Sequence, residues 1–147
     1  MTHNIRNRTA VILTNDKQEI LLVPHLVDGQ VSYWYPPGGG VEFLESIESA
    51  AVREFKEETG LKIELAENLG YVQFHRAIEP WHSITFVFRG KYLSGILQAE
   101  QTKYGDKMPE WFSTNDLPEN IVPYLKETVL SAVKDFAISA SGPVNSS

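Results

Sequence analysis

At 147 residues and a net charge of −6, the chain is long enough for one domain with a core and short for two, and its acidity excludes a face built to grip duplex nucleic acid by its phosphates. The absence of cysteine excludes disulfides, thiolate chemistry and cysteine-based zinc sites. The opening MTHNIRNR carries no apolar secretion signal and no later apolar run is long enough for a bilayer, so a soluble cytoplasmic protein with no membrane partner is expected. A single domain over 1–138 is expected, followed by a small, polar, flexible tail over 139–147.

Residues 9–13 and 19–23 are β-branched or leucine-rich runs, and the polar gap Thr14-Asn15-Asp16-Lys17-Gln18 predicts a hairpin turn between two strands. Pro24 is expected to end the second strand, because its nitrogen has no hydrogen to give a ladder. A loop over 25–30, containing Asp28-Gly29, leads to an aromatic strand over 31–35. Within it Trp34 and Tyr35 read either as core or as rings on which a base stacks, which makes Trp34 a candidate substrate contact. Pro36-Pro37-Gly38-Gly39-Gly40 then forms a loop with little side-chain bulk, either an ordinary tight turn or a place where a ligand approaches the main chain.

A helix of about four turns follows, with Ser46 as N-cap but Ser49 where a capping box needs Glu or Gln, and with Gly60 at the left-handed C′ position. Glu54, Glu57 and Glu58 stand at i, i+3 and i+4, on a face shared with Ile47, Ala50 and Ala51, while Arg53 and Lys56 fall on another side. Carboxylates crowded at a packed face lose hydration and repel one another, a cost on the order of several kcal/mol per ion unless a cation compensates. An oxygen-only donor set without cysteine favours Mg²⁺ or Mn²⁺, and the alternative is a solvated acidic helix end.

Leu61, Ile63 and Leu65 alternate as a strand, and further strands are expected over 71–76 and 83–89, with a short extension over 91–93. Between them His75, Arg76 and His82 either bind phosphate or a base or are simply solvated; Arg76 is the candidate substrate contact. Residues 98–108 read as a polar loop able to shape a site, and 121–136 as an amphipathic closing helix with Val122, Leu125, Val129, Ala132, Val133 and Phe136 at helical spacing.

Taken together, Gly39, Glu45 and the run Arg53-Glu54-Phe55-Lys56-Glu57-Glu58-Thr59-Gly60-Leu61, approached through Trp34-Tyr35-Pro36-Pro37-Gly38-Gly39, resemble the complete signature box of the MutT-like Nudix hydrolases. Glu110-Trp111-Phe112 followed by Asp116-Leu117-Pro118 is similar to the strand and exit turn late in such domains. The resemblance implies an α/β/α sandwich, a mixed sheet flanked by the box helix and a C-terminal helix. It also implies a metal-dependent pyrophosphohydrolase that splits a nucleoside diphosphate from a linked group X by attack of water on phosphorus. Under it Glu54, Glu57, Glu58 and the Gly38 carbonyl hold the metal, Glu57 or another carboxylate takes the water's proton, and Glu45 and Arg53 orient loop and helix by ion pairing. Glu54, Glu57 and Arg53 are thus the candidate catalytic residues, with Gly39, Glu45 and Gly60 as structural members of the box. Glu100 and Glu110 lie where some relatives carry a further functional acid, and the sequence does not choose between them. The proline typical of ADP-ribose enzymes would fall around Arg76 and Ala77, and other substrate markers are missing, which leaves nucleoside triphosphates favoured. A small nucleotide is the expected partner, with monomer and homodimer both open. A Nudix-fold module that binds nucleotides without turnover is the alternative function.

Overall fold

A computed structural model describes the backbone of residues 3–145 and the side chains of 3–134. In chain order the elements are β1 (Arg6–Ile12), β2 (Glu19–Val27), β3 (Gln30–Tyr35), α1 (Ile47–Thr59), β4 (Leu61–Arg76), β5 (Trp81–Gly95), β6 (Glu100–Thr102), β7 (Gly105–Lys107), β8 (Glu110–Ser113) and α2 (Pro123–Asn145). β1 runs parallel to β5 and β5 antiparallel to β4, giving a mixed sheet in the order β1-β5-β4. A second, antiparallel sheet has the order β3-β2-β8, and β6 and β7 form a short hairpin.

Strand alternation builds two apolar layers from the same runs. Ala10, Ile12, Ile20, Leu22 and Val87 pack with Leu125 and Val129 of α2, while Val11, Leu13, Leu21 and Phe88 pack with Ala51 and Phe55 of α1. Successive strand residues point to opposite faces, so a run that is apolar throughout needs a cover on both sides. The two helices supply those covers. The expected sandwich with a mixed sheet, a box helix and a C-terminal helix is the architecture found. No helix among the described residues is long and apolar enough to cross a membrane.

Several boundaries differ from the sequence reading. The turn after Leu13 exists, with Asn15 N–H donating to Glu19 O at 3.0 Å and a bridge between Thr14 and Ile20, but the flanking strands diverge into different sheets. β2 does not stop at Pro24; it runs to Val27, with Pro24 opposite Trp34 of β3. The ladder to β8 ends at Leu22, so on that side no neighbour asks Pro24 for a hydrogen. β4 and β5 are each one long strand, joined at Ala77–Pro80, and the stretch 66–70 between the two expected strands is accommodated by register shifts and by Gly70 at φ 97°. The polar stretch 98–108 contains the β6–β7 hairpin. α2 is traced to Asn145, and Phe136 together with the tail expected over 139–147 lies outside the residues whose side chains are described.

Candidate active site

The glycine loop is laid along β1 as an extra strand would be. Thr9 N–H donates to Gly39 O at 2.7 Å, Val11 N–H to Pro37 O at 2.9 Å, and Val41 N–H to Asn7 O at 2.9 Å. Gly38 fits only because it lacks a side chain: a Cβ there would lie 1.9 Å from Thr9 O. A Cβ on Gly39 would lie 2.3 Å from Glu54 Oε2, so Gly39 is what lets the box helix press a carboxylate against the loop.

Helix α1 starts and stops as its sequence predicts. Ser46 Oγ accepts from Ser49 N–H at 3.1 Å, and Gly60, at φ 80°, donates its N–H to Lys56 O at 2.8 Å. Ala50, Ala51 and Phe55 bury one side of the helix, and that docking turns the neighbouring glutamates toward the loop.

Arg53 is the hub of the exposed half of the site. It grips Glu45 with two bonds, Nε to Oε2 at 2.7 Å and a terminal nitrogen to Oε1 at 2.8 Å, and donates to Gly40 O at 3.1 Å. Its other terminal nitrogen bridges Glu54 Oε1 at 2.9 Å and Glu57 Oε1 at 3.2 Å. The guanidinium holds the Glu45 carboxyl at about 2, well below the usual carboxylate range. Burial outweighs Arg53 at Glu54 and raises that carboxyl. The helical wheel separates Arg53 from the glutamates, whereas the structure joins them, because a long flexible side chain reaches across wheel positions.

Glu58 is the buried half of the site, only 5% exposed. Its Oε1 accepts from Gly38 N–H at 2.7 Å and its Oε2 from the Tyr35 hydroxyl at 2.7 Å, with Lys107 Nζ 3.4 Å away. Lys107 also donates to the Tyr35 hydroxyl and lies 4.0 Å from Glu100. Burial pushes Glu58 up to about 6 even though Gly38, Lys107 and Tyr35 all favour its charged form. Burial, then the Glu58 charge, raises the Tyr35 phenol.

Lys107 is therefore a site residue that the sequence reading missed, and Tyr35, read there as core or as a base-stacking ring, also holds the box glutamate Glu58. Tyr35 stands beside the box, a signal that was available; Lys107 carried none, since a polar loop gives no sign of which residue points inward. Of the two candidate acids, the structure brings Glu100 to the cluster through Lys107 and places Glu110 on β8 opposite Leu22, exposed. Trp34 meets Phe112 edge-on at 4.8 Å, while Tyr33 and Tyr35, the alternate residues of β3, line the side beside Gly38. Arg76 sits at the β4–β5 turn, its Nε donating to Glu79 O at 3.0 Å.

Beside Gly38 opens a cleft of about 260 Å³ lined with rings from Tyr33, Tyr35, Trp81 and Tyr124. His25 stacks on Tyr33 at 4.5 Å, and burial followed by the Lys107 charge keeps its imidazole below the ordinary value. Arg8 lines the cleft, and among the described residues it forms no ion pair. Thr85, 2% exposed, lines it too, and among the described residues its hydroxyl has no hydrogen-bond partner.

The donors fit a hard divalent cation in their chemistry. They are carboxylate oxygens, two of them already bridged by a positive nitrogen of Arg53, beside a glycine whose Cβ would fill the space against Glu54. Among the described residues no three such side chains converge as a finished cage, since Glu54 and Glu57 lean on Arg53 and Glu58 on Gly38, Tyr35 and Lys107.

A model of the NUDIX domain matches residues 4–131. A Bacillus subtilis (strain 168) protein named "Putative 8-oxo-dGTP diphosphatase" is 35% identical over 119 residues, 81% of this chain and 74% of that protein. An RNA pyrophosphohydrolase from Roseobacter denitrificans is 28% identical over 146 residues, covering 86% of this chain and 88% of its own. The crystal structure of a MutT NUDIX hydrolase from Burkholderia pseudomallei superposes with a TM-score of 0.74 at 26% identity, over 86% of this chain and 97% of that one. Nudix hydrolases generally use divalent metal ions. With the box loop, the acidic helix and these relatives in agreement, the chain belongs to the Nudix family and is a MutT-like hydrolase acting on phosphoric anhydride bonds.

Proposed function

We propose that this enzyme cleaves a nucleoside diphosphate linked to X, with nucleoside triphosphates the favoured class, using Glu54, Glu57, Glu58 and the Gly38 carbonyl to hold Mg²⁺ or Mn²⁺. The observation that carries the reading is the bridging of Glu54 and Glu57 by one Arg53 nitrogen beside Gly39, with Glu58 bonded to Gly38 on the adjoining helical turn. When bound, such a cation neutralises the diphosphate and lowers the pKa of water.

The chain's own residues supply the rest. Arg53, clamped by Glu45, fixes the carboxylates at the loop. Glu57 has a side chain 51% exposed, held only from one side by Arg53, and is the most solvent-open of the three glutamates, so it takes the proton as the water oxygen attacks phosphorus and the anhydride oxygen leaves. Glu58 is engaged on both oxygens and keeps the helix registered on Gly38. Glu100, next to Lys107, is the further acid. The aromatic cleft and Arg8, which forms no ion pair among the described residues, support a nucleotide ligand, the rings for the base and the guanidinium for phosphate. Relatives named for 8-oxo-dGTP and for RNA support a substrate with a 5′-polyphosphate.

A mixed panel of nucleotides incubated with Mg²⁺, with products identified by mass, tests this. Nucleoside triphosphates should be hydrolysed at an anhydride bond and chelation should stop the reaction. Turnover undiminished after exhaustive EDTA treatment would remove the metal from the reading, and a panel left intact would remove the substrate class.

A further inference from the structure

We propose that Lys107 is a positioning residue whose ammonium pins the β6–β7 hairpin against the box while Glu58 holds no divalent cation, and that metal loading displaces it, releasing the hairpin and widening the approach to the aromatic cleft. The proposal rests on the metal-binding reading of Glu57 and Glu58 above and adds to it a link between that site and a surface hairpin.

Little else holds the hairpin in place. β6 and β7 pair only with each other, and two strands without a third are marginally stable at best in water. None of residues 100–107 is buried. Inside the hairpin, Thr102 Oγ1 donates to Gly105 O at 2.6 Å and accepts from Tyr104 N–H at 3.2 Å. Among the described residues, the hydrogen bonds that leave the hairpin all come from Lys107 Nζ.

That ammonium is held by negative charge and one hydroxyl. It donates to the Tyr35 hydroxyl, which in turn donates to Glu58 Oε2 at 2.7 Å. It lies 3.4 Å from the same Glu58 oxygen, 4.0 Å from Glu100 Oε1 and 5.0 Å from the centre of the Tyr35 ring. The Lys107 side chain is 15% exposed and that of Glu58 6%, so each charge is kept from water by the other. A divalent cation taken by Glu58 removes that offset. The ammonium then faces a second positive charge across one carboxylate, where solvent screens poorly. Lysine is suited to leave, since its charge rides on a flexible four-carbon stem. The helix keeps its register meanwhile, because Gly38 N–H donates to the other Glu58 oxygen at 2.7 Å.

Release matters because the hairpin is a wall. A cavity of about 610 Å³ lies between Leu26 and Val27 of β2 and Thr102, Tyr104 and Lys107 of the hairpin. His25 lines both this cavity and the aromatic cleft beside Gly38, so the two spaces adjoin and a displaced hairpin opens the cleft from that side.

The test titrates Mn²⁺ alone into the full chain, followed by electron paramagnetic resonance, in wild type, Lys107→Met, Lys107→Arg and the box variant Glu57→Gln. Amide exchange over 100–107 is followed by mass spectrometry with and without Mg²⁺. Lys107→Met should bind Mn²⁺ about tenfold more tightly than wild type, and Lys107→Arg, which keeps the charge, within about twofold of it. Mg²⁺ should speed exchange over 100–107 in wild type, whereas in Lys107→Met exchange should be fast already and indifferent to the ion. A lysine that merely props up the site predicts the reverse, weaker Mn²⁺ binding in Lys107→Met. That result, or wild-type exchange unchanged or slowed by Mg²⁺, overturns the proposal. The wild-type exchange decides even if Lys107→Met fails to fold. If Glu57→Gln loses Mn²⁺ while Lys107→Met binds it no more tightly than wild type, the metal site stands and the role of Lys107 falls. Binding indifferent to Glu57→Gln takes both down.

Discussion

Glu58 is a carboxylate whose burial opposes its charge while three donors favour it. Replacing it by glutamine keeps the shape, and the amide oxygen still accepts from Gly38. Glu58→Gln should therefore cost little metal-free stability, because burial already opposes the lost charge and Lys107 keeps its contacts with Tyr35 and Glu100. Turnover should fall by roughly 10²-fold or more, about 3 kcal/mol in barrier, through loss of a ligand that organises the diphosphate. Mg²⁺ should also raise the melting temperature of the wild type more than that of the variant. Melting curves with and without metal, run beside a turnover assay, check both halves; a variant that melts far lower yet keeps full activity makes Glu58 structural. Glu45 behaves in the opposite sense. Arg53 lowers its carboxyl from 4.5 to about 2, so the stabilisation is fully present above about 4.5 and is lost as pH falls through about 2. The melting-temperature gap between wild type and Glu45→Gln should be constant from pH 7 to about 5 and then narrow with acid. A gap that widens on acidification contradicts the assignment.

At the scale of elements, the β6–β7 hairpin is joined to the box helix by one cation. Lys107 reaches Glu58, Tyr35 and Glu100 from the last residue of β7, so a short surface hairpin completes a buried ion pair. Removing one partner of such a pair leaves the other charge buried, which costs about 3–5 kcal/mol in deep sites and less here, where protonation of Glu58 relieves it. Lys107→Met should lower stability by roughly 1–3 kcal/mol in urea titrations at pH 8. Adding Glu58→Gln should recover most of that loss, since neither charge then remains. Additive losses in the double variant would show that Lys107 and Glu58 do not act as a pair.

At the scale of the whole molecule, acidity and local basicity answer different questions. A net charge of −6 repels the long phosphate array of a duplex, and Arg6 and Arg76, which line one cleft at the tip of the β4–β5 hairpin, are a local pair and not a stripe. Duplex DNA should show no measurable binding at physiological salt, while free nucleotides are turned over; a titration that detects submicromolar duplex binding without nucleotide turnover overturns this. The sandwich explains why the acidic site is nevertheless stable. The same strands bury Ile12 and Leu22 towards α2 and Val11 and Leu21 towards α1, so the box helix rests on a packed sheet face and its glutamates are held by burial of Ala51 and Phe55.

The sequence by itself determined everything local: the Ser46 cap, the Gly60 stop, the spacing of the glutamates, the glycines that admit close approach, and the family that this spacing marks. These depend on residues within a turn or two of one another, where backbone geometry fixes what meets. It also placed most strands, because apolar runs bounded by turns depend on neighbours alone. Only the tertiary structure decided that Pro24 stays in β2, that residues 61–76 form one bent strand, that Lys107 and not Arg53 alone serves the glutamates, and that Tyr35 faces the site while Trp34 does not. Each of those outcomes rests on contacts between residues far apart in the chain: a ladder that ends early, a bulge absorbed by a partner strand, a side chain delivered by a distant hairpin. Such contacts are set by which surfaces pack together, and periodicity carries no record of the partner.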